Sequence, residues 1–153
     1  MLSDAACPNG ISPTASISLR WLANHAAGSL LAHCDIGEVG NWGVPINKNK
    51  SDHFWKYIVA PWDMARAQNY VPDTILIDGR FRVASFLYSL LAARVSATIL
   101  FDDYFNRPHY YFIVEKYCKL LERHGRMGVF SVTNSYSAID LTRTIAEYLH
   151  RWE

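Results

Sequence analysis

Cysteine is scarce in this chain of 153 residues, and its three cysteines show no paired spacing. Cys7, Cys34 and Cys118 lie far apart, so neither a zinc cluster with C-x-x-C spacing nor a disulfide framework is indicated. A reducing compartment fits this cysteine usage best. The sequence also lacks a basic segment followed by an apolar run at its start, and it lacks any stretch of about 18 consecutive apolar residues. We therefore expect a cytoplasmic protein with no membrane partner.

An excess of charge of one sign is absent as well. The chain has 15 basic and 14 acidic residues and a formal net charge of +1, so no global field attracts nucleic acid or an anionic membrane. Hydrophobic residues make up 50% of the chain and charged residues 19%, which is typical of a soluble globular protein. We expect a single domain over residues 1–153 and no nucleic-acid partner.

Two common catalytic motifs are missing. The six histidines show no H-E-x-x-H spacing, which argues against a zinc site of that kind. No serine or cysteine lies in a nucleophile-elbow sequence, so covalent hydrolysis is not indicated.

The beginning of the sequence predicts a helix, a short strand and a long loop. Ser12 can cap a helix that has a proline at its first position and that ends at Gly28. The segment 29–35 then predicts a short strand that stops at an aspartate. The glycine, asparagine and proline content of 38–52 predicts a loop.

The middle of the chain predicts a strand, a helix and a second strand. Pro61 lacks an amide hydrogen and clashes with a preceding helical turn, so the segment 51–68 is predicted to hold a turn or two of helix but no continuous one. Beyond it, apolar runs predict strands at 74–78 and 97–103. Helical spacing of apolar residues predicts a helix over 81–95 between them.

The remainder predicts two helices around one further strand. A helix over 109–124 carries apolar residues at helical spacing, with Gly125 as its C-terminal cap. The segment 126–133 predicts a strand, and Ser137 with Asp140 forms a capping-box pattern that begins the last helix. Strands that alternate with helices predict an α/β fold with a mainly parallel sheet.

Acidic residues close two of the predicted strands. Asp78 ends the first, and Asp102 and Asp103 end the second. Carboxyl ends of neighbouring parallel strands meet at one edge of the sheet, where open α/β sheets bind ligands. The chain between Asp78 and Asp102 is long enough for one helical crossover. We therefore expect these carboxylates to converge.

Two interpretations of the three acids stay open. In one, their carboxylates hold a divalent cation such as magnesium, because hard cations prefer oxygen ligands. In the other, Asp102 or Asp103 caps the following helix, and Asp78 pairs with a nearby arginine. The candidate arginines are Arg80, Arg82 and Arg107.

Several segments together resemble a known group of proteins. The segments are HCDIGEVGNWGVPIN, PDTILIDGRFRVASFLYSLL, TILFDDYFNRPHYYFIVEKY and GRMGVF. They are similar to segments of bacterial methyltransferase-like proteins of mostly unassigned function, which are related to class I S-adenosylmethionine-dependent methyltransferases. The resemblance spans roughly residues 28–132 and is most specific in DGRFRVA and FDDY-x-x-RP-x-Y. It implies a Rossmann-like fold, with a mainly parallel sheet flanked by helices.

The resemblance also implies roles for individual acids. Asp4 matches a position near the ribose hydroxyls of S-adenosylmethionine, and Asp35 matches a position at its adenine. Asp78 matches the position beside the methionine moiety and the substrate, where it is also a candidate catalytic residue. Acids at similar places hold magnesium in catechol-type O-methyltransferases, which implies a metal set of Asp78, Asp102 and Asp103.

The glycine-rich loop with which class I methyltransferases hold their cofactor has no counterpart in this sequence. No Gly-x-Gly sequence precedes Gly28, and no later segment replaces it. The resemblance therefore implies a chain truncated at its amino terminus, which lacks the first strands of the fold and binds S-adenosylmethionine weakly or not at all.

Three further residues are candidates for the site. Trp42 lies in a glycine-flanked loop and can stack on a planar ligand such as adenine. Arg107 precedes a proline beside the second strand end, where a guanidinium can clamp a carboxylate or phosphate. His109 is a candidate general base, and a structural or solvent-facing role is its alternative.

Two classes of function follow from these patterns. In the first, the chain is a methyltransferase-type enzyme, or the carboxyl-terminal portion of one, that acts on a small-molecule substrate. In the second, it is a non-catalytic remnant or binding module of the same fold, which forms a homo-oligomer through an exposed sheet edge.

Overall fold

A computed structural model describes residues 32–152 of the chain. The predicted helix from Ser12 to Gly28 and the candidate residue Asp4 lie outside the described residues. The α-helices in these residues are α1 (Phe54–Ala67), α2 (Arg82–Ala92), α3 (Pro108–Tyr111) and α4 (Ala138–Tyr148). The described strands are β1 (Thr74–Ile77), β2 (Thr98–Phe101), β3 (Leu120–His124) and β4 (Met127–Ser131). Short 3-10 turns occupy Asn41–Gly43, Ser51–His53 and Phe112–Lys116.

The four strands form one sheet in the order β1-β2-β4-β3. β1 and β2 are parallel, whereas β4 is antiparallel to both of its neighbours. The prediction of an α/β fold is confirmed, but within the described residues the sheet is mixed and not mainly parallel. One of the two antiparallel pairs follows from the tight connection between β3 and β4, because strands joined by a turn of two residues can pair only in opposite directions.

The predicted strand, helix and strand unit in the middle of the chain is confirmed. β1 and β2 are adjacent and pair in parallel from Thr74↔Thr98 to Ile77↔Phe101. α2 connects them and buries Phe86, Leu87 and other apolar side chains. Side chains of both strands pack in the main core, whose buried members also include residues of α2, β4 and α4. This unit fixes where the two acidic strand ends lie.

The helix predicted over 109–124 is wrong. Helical structure ends at Lys116, and residues 120–124 form β3, which pairs with β4 as a hairpin. Gly125 is not a helix cap but a turn residue of this hairpin, with a φ of 59° that suits glycine. The apolar spacing that imitates a helix comes from residues packed on the core at the end of the 3-10 turn, where Tyr117 and Cys118 are buried.

The prediction that Pro61 prevents a continuous helix is also wrong. α1 runs from Phe54 to Ala67 with this proline inside it. Phe54, Ile58 and Trp62 are buried on one face of α1, whereas Pro61 is exposed. Burial of three large apolar side chains outweighs one lost backbone hydrogen bond, because each contributes roughly 1.5–3 kcal/mol.

Of the three remaining predictions, the loop over 38–52 and the start of the last helix are confirmed, and the strand over 29–35 is not found where it is described. The predicted strand over 29–35 is not found in its described part, residues 32–35, where the Asp35 carbonyl contacts His53 and no neighbouring strand. The loop over 38–52 is confirmed and contains only a single bridge and short turns. The last helix begins as predicted, because the Ser137 side chain accepts a hydrogen bond from the Asp140 amide at 3.3 Å.

A second, smaller core joins α1 to the turn after β1. Its buried members are Ile36, Phe54, Ile58, Phe81 and Ala84. Because Phe81 directly precedes α2, this cluster packs α1 against the segment that leaves the sheet at the end of β1. None of the described helices is both long enough and apolar enough to cross a membrane.

Replacing Pro61 by alanine should stabilise the protein. The variant regains the hydrogen bond between the amide of residue 61 and the Tyr57 carbonyl, so we expect the free energy of unfolding to rise by about 1–3 kcal/mol in urea titrations. Pro108 at the start of α3 is the matched control, because a proline there replaces no hydrogen bond. An equal effect of P61A and P108A would contradict the expectation.

Candidate active site at the carboxyl ends of the parallel strands

The parallel pair β1 and β2 brings two acidic residues together. Ile77 and Phe101 are paired in the register, and the Asp102 amide donates a hydrogen bond to the Ile77 carbonyl at 3.0 Å. Asp78 and Asp102 therefore leave the sheet side by side. The predicted convergence of the strand-end acids is present in the structure, and Asp103 follows at the same edge.

A buried arginine links these acids. Arg82 is the first residue of α2 and only 4% of its surface is exposed. Its guanidinium contacts Asp78 Oδ1 and Asp103 Oδ2, each at 3.1 Å. It also donates to the backbone carbonyls of Gly79 at 3.0 Å and Asp102 at 3.3 Å. One side chain thus connects the turns that follow both strands.

A second arginine reaches the site from the β3–β4 hairpin turn. Arg126 Nε lies 2.9 Å from Asp102 Oδ1, and Arg126 Nη2 lies 2.8 Å from Asp102 Oδ2. This bidentate geometry is the strong form of an arginine–carboxylate pair. The Asp102 side chain is only 6% exposed, whereas that of Arg126 is 60% exposed. Arg126 therefore covers the buried acid from the solvent side.

The acids differ in protonation behaviour because their surroundings differ. Partial burial and the nearby Asp102 carboxylate raise the pKa of Asp78, and Arg82 only partly offsets them. Partial burial also acts on Asp103, but its hydrogen bond to Arg82 and the charges of Arg82 and Arg126 prevail and lower its pKa. In these ion pairs three carboxylates face two guanidinium groups, so one negative charge remains.

Backbone strain marks both strand-end turns. Phe81 has a φ of 53° and Asp103 a φ of 56°, in the left-handed region that residues with a side chain seldom occupy. Phe81 is held there by packing on Phe54, with ring centroids 4.9 Å apart. Such conformations persist only where the surroundings over-determine them, and they cluster at functional sites.

The turn after β1 is also fixed by α1. Tyr57 lies so close to Gly79 that a Cβ added to this glycine would be 2.2 Å from the Tyr57 hydroxyl oxygen. The same oxygen accepts a hydrogen bond from the Arg80 amide at 3.3 Å. The space beside Gly79 is therefore filled by protein.

Asp35 and Trp42 lie in a separate loop. Asp35 Oδ1 accepts a hydrogen bond from the Gly37 amide at 3.0 Å, and Asp35 Oδ2 contacts the Lys50 ammonium group. The hydrogen bond from Lys50, followed by that from Gly37, lowers the pKa of Asp35. Trp42 is 88% exposed with a φ of 61°. Both carboxylate oxygens of Asp35 are thus in use, and the indole of Trp42 faces solvent.

Arg107 and His109 flank the start of α3. The His109 ring packs on Tyr110 with centroids 4.2 Å apart. Within residues 32–152, neither Arg107 nor His109 forms an ion pair or a side-chain hydrogen bond with the acids of the strand ends. The structure therefore joins the three predicted acids to each other but does not join these two candidates to them by direct contact.

Among the described residues, no group of three or more His, Cys, Asp and Glu side chains is placed to hold a metal ion. Asp78, Asp102 and Asp103 instead each contact a guanidinium group. Of the arginines predicted to pair with Asp78, Arg82 is the one that does so.

Sequence reasoning missed two residues that shape the site. The sequence does not point to Arg126, because the preceding segment predicts a helix that ends at Gly125, although a glycine in a short connection between two runs is also found in hairpins. Tyr57 lies on α1, whose continuity was not expected. The sequence offers one indirect signal for Tyr57, which is the glycine that directly follows the strand-end acid at position 79.

Replacing Asp78 or Asp103 by asparagine should change stability in opposite directions at pH 7. The raised folded pKa of Asp78 means that its ionisation costs stability once the pH rises above the ordinary value of 3.8. The lowered folded pKa of Asp103 means that its ionisation stabilises the fold above 3.8, and this gain disappears as the pH falls through the folded pKa.

We therefore expect D103N to lower the free energy of unfolding by about 1–3 kcal/mol at pH 7. D78N should raise it by less than about 1 kcal/mol, since half of that side chain is exposed. Urea titrations at pH 7 and at acidic pH measure both effects, which should shrink in acid. A clear loss of stability in D78N at pH 7 would show that its charge stabilises the fold.

A solved structure with the same architecture comes from Silicibacter pomeroyi DSS-3 and is a methyltransferase-like protein. The two structures superimpose with a TM-score of 0.74, and the sequences are 29% identical. The match covers 90% of this chain and 72% of that protein. No protein-family model and no curated protein matches the chain. The chain is therefore similar, in fold and in part of its sequence, to a methyltransferase-like protein.

Proposed function

We propose that this chain is a methyltransferase-like protein that contacts a small-molecule substrate through Asp78 and binds S-adenosylmethionine only weakly. The similarity to the methyltransferase-like protein of S. pomeroyi supports the general class. The exposed position of Asp78 at the strand ends supports its contact with a substrate. The contacts that already occupy Asp35 and Gly79 support weak binding of S-adenosylmethionine.

The observation that carries this proposal is the exposure of Asp78 among the strand-end acids. Its side chain is 51% exposed, compared with 17% for Asp103 and 6% for Asp102. Arg126 engages Asp102, and Arg82 is shared by Asp103 and Asp78, so the carboxylate that solvent and ligands can reach is that of Asp78. This residue also lies where open α/β sheets bind ligands, beyond the carboxyl ends of parallel strands.

Asp78 is suited to accept a proton from a ligand. A carboxylate with a raised pKa is a stronger base than an ordinary aspartate and can take the proton of a hydroxyl or ammonium group held beside it. Arg82 holds Oδ1 at 3.1 Å and so orients the carboxylate. The other oxygen, Oδ2, receives no hydrogen bond from a nitrogen atom of the described residues, and it is the atom that we assign to the substrate.

The residues present fit S-adenosylmethionine only in part. When bound, this cofactor supplies an electrophilic methyl group. Asp78 is available to contact it, but Asp35 has both oxygens engaged by Gly37 and Lys50. The glycine that follows β1 offers no cradle, because Tyr57 fills the space beside Gly79. These contacts, with the absence of a Gly-x-Gly sequence, are the basis for expecting weak binding.

Calorimetric titration with S-adenosylmethionine tests the proposal. We expect a dissociation constant of about 0.1–1 mM or weaker, and we expect D78N to weaken binding about tenfold further, which corresponds to about 1.4 kcal/mol. If heat signals are too small at this affinity, ligand-observed NMR gives the same comparison.

Asp73→Asn is the matched control for D78N. Asp73 lies at the other end of the same strand, where it is exposed and pairs with Arg94 at 3.8 Å. It undergoes the same change of charge without touching the strand-end site. Equal effects of D73N and D78N would remove Asp78 from the site, and low-micromolar affinity of the parent chain would contradict weak binding.

The exposed edge at β1 favours a second candidate function, a binding module that self-associates. In the described sheet β1 has a neighbour on one side only, and Leu76 in its middle is 60% exposed. Strand edges with exposed apolar side chains pair readily with another strand. We propose a second copy of the chain as the partner of this edge.

Lysine substitution separates this edge from the opposite one. L76K places a charge on β1 and should shift the protein from dimer to monomer in sedimentation-velocity experiments. L121K is the control, because Leu121 on the outer strand β3 is also 60% exposed. A monomeric parent chain at about 100 μM, or equal effects of the two variants, would reject self-association through β1.

A further inference from the structure

We propose that Tyr57 is the positioning residue of the strand-end site. Its hydroxyl group holds the turn Asp78–Gly79–Arg80 from the side of α1 and thereby sets the orientation of the Asp78 carboxylate. This inference rests on the role of Asp78 proposed above, because positioning matters for function only if Asp78 meets a ligand.

The first contact is with Gly79. A Cβ on this residue would lie 2.2 Å from the Tyr57 hydroxyl oxygen and 3.3 Å from the Tyr57 Cζ. The φ of Gly79 is not in the left-handed region. The glycine is therefore needed for space and not for an unusual backbone conformation. Its role is to let the phenol approach the backbone directly after Asp78.

The second contact is with the next residue of the turn. The Arg80 amide donates a hydrogen bond to the Tyr57 hydroxyl oxygen at 3.3 Å. The Tyr57 ring also packs on Phe81, with centroids 5.5 Å apart. One side chain of α1 thus contacts three consecutive residues after Asp78, of which the last has a strained backbone with a φ of 53°.

The helix that carries Tyr57 is held in place by buried side chains. α1 is anchored through Phe54 and Ile58, which are buried in the smaller core with Phe81. The backbone at Tyr57 therefore cannot move away from the turn without disturbing the buried side chains of α1. A displacement of the turn changes the distance of Asp78 from both Arg82 and Asp102, because Arg82 is held in turn by the Gly79 carbonyl at 3.0 Å.

The distances from the added Cβ to the Tyr57 hydroxyl oxygen and to Tyr57 Cζ allow a test with a double variant, in which one substitution should compensate for the other. Gly79→Ala introduces a clash at 2.2 Å with the hydroxyl oxygen. Tyr57→Phe removes that oxygen and leaves Cζ as the nearest atom, at 3.3 Å. A Cβ at that distance requires an adjustment of only a few tenths of an ångström. The double variant should therefore recover most of what G79A loses.

Two properties are measured for each of four proteins, which are the parent chain, Y57F, G79A and the double variant. The first is the position of the Asp78 side-chain carboxyl signal in carbon-13 NMR at pH 7, assigned by its loss in D78N. The second is the urea midpoint. We expect G79A to move the signal and lower the midpoint, and we expect the double variant to return the midpoint toward that of the parent.

Y57F alone distinguishes positioning from packing. It keeps the aromatic ring and its contact with Phe81, so the midpoint should change little. Because the Arg80 amide loses its acceptor, the Asp78 signal should nevertheless move toward that of the exposed Asp73. Tyr70→Phe is the control, since Tyr70 follows α1 and is 61% exposed. It should leave the Asp78 signal in place.

The inference is overturned if Y57F leaves the Asp78 signal unchanged, or if the double variant is no more stable than G79A. If G79A fails to fold, the Asp78 signal of Y57F and the stability of the double variant still test the inference. These measurements use no ligand, so a failure of S-adenosylmethionine binding counts against the proposed function and leaves the assignment of Tyr57 standing.

Discussion

The buried guanidinium of Arg82 is the interaction on which the acidic edge of the sheet depends. It donates to the backbone or side chains of Asp78, Gly79, Asp102, Asp103 and Tyr111. A guanidinium that loses its partners in such an environment costs several kcal/mol. The turns after β1 and β2 must therefore keep their acceptors in place together. Two strand ends that are separate in sequence become one structural unit through this side chain.

The three acids differ in their ion pairs and in their burial, and they are therefore not equivalent. Asp103 lies close enough to both arginines to be stabilised as a carboxylate, and Arg126 engages both oxygens of Asp102. Partial burial of Asp78 and then the charge of Asp102 raise the pKa of Asp78, and Arg82 only partly offsets them. The ionised Asp78 carboxylate costs a little stability, and its retention is understandable if it meets a ligand.

The sequence was informative wherever a signal was local. Apolar runs and helical spacing between residues 74 and 101 predicted β1, α2 and β2, and the parallel pairing then predicted that Asp78 and Asp102 converge. The Ser137 cap likewise depends on residues three positions apart. These features need no knowledge of the rest of the fold, because helix periodicity, capping and crossover length are properties of short segments.

The errors arose where distant residues decide the local structure. Pro61 is tolerated because three buried side chains of α1 hold the helix against the smaller core. Residues 120–124 form a strand because β4 offers them a pairing edge. The contact of Arg126 with Asp102 spans 24 residues of sequence and that of Tyr57 with Arg80 spans 23, so both depend on tertiary structure. Tertiary contacts of this kind override propensity and cannot be deduced from one sequence.

The contacts of Arg82 also bear on how the chain folds. Its hydrogen bonds span at most 29 residues, and the pair between Arg126 and Asp102 spans 24. The ion pairs of the acidic edge therefore require only the continuous stretch from Asp78 to Arg126, whose loops cost comparatively little entropy to close. α1 lies outside this stretch. The ion pairs of the acidic edge thus need no residue of α1, and the hydrogen bond from the Arg80 amide to the Tyr57 hydroxyl oxygen joins this helix to the turn from outside that stretch.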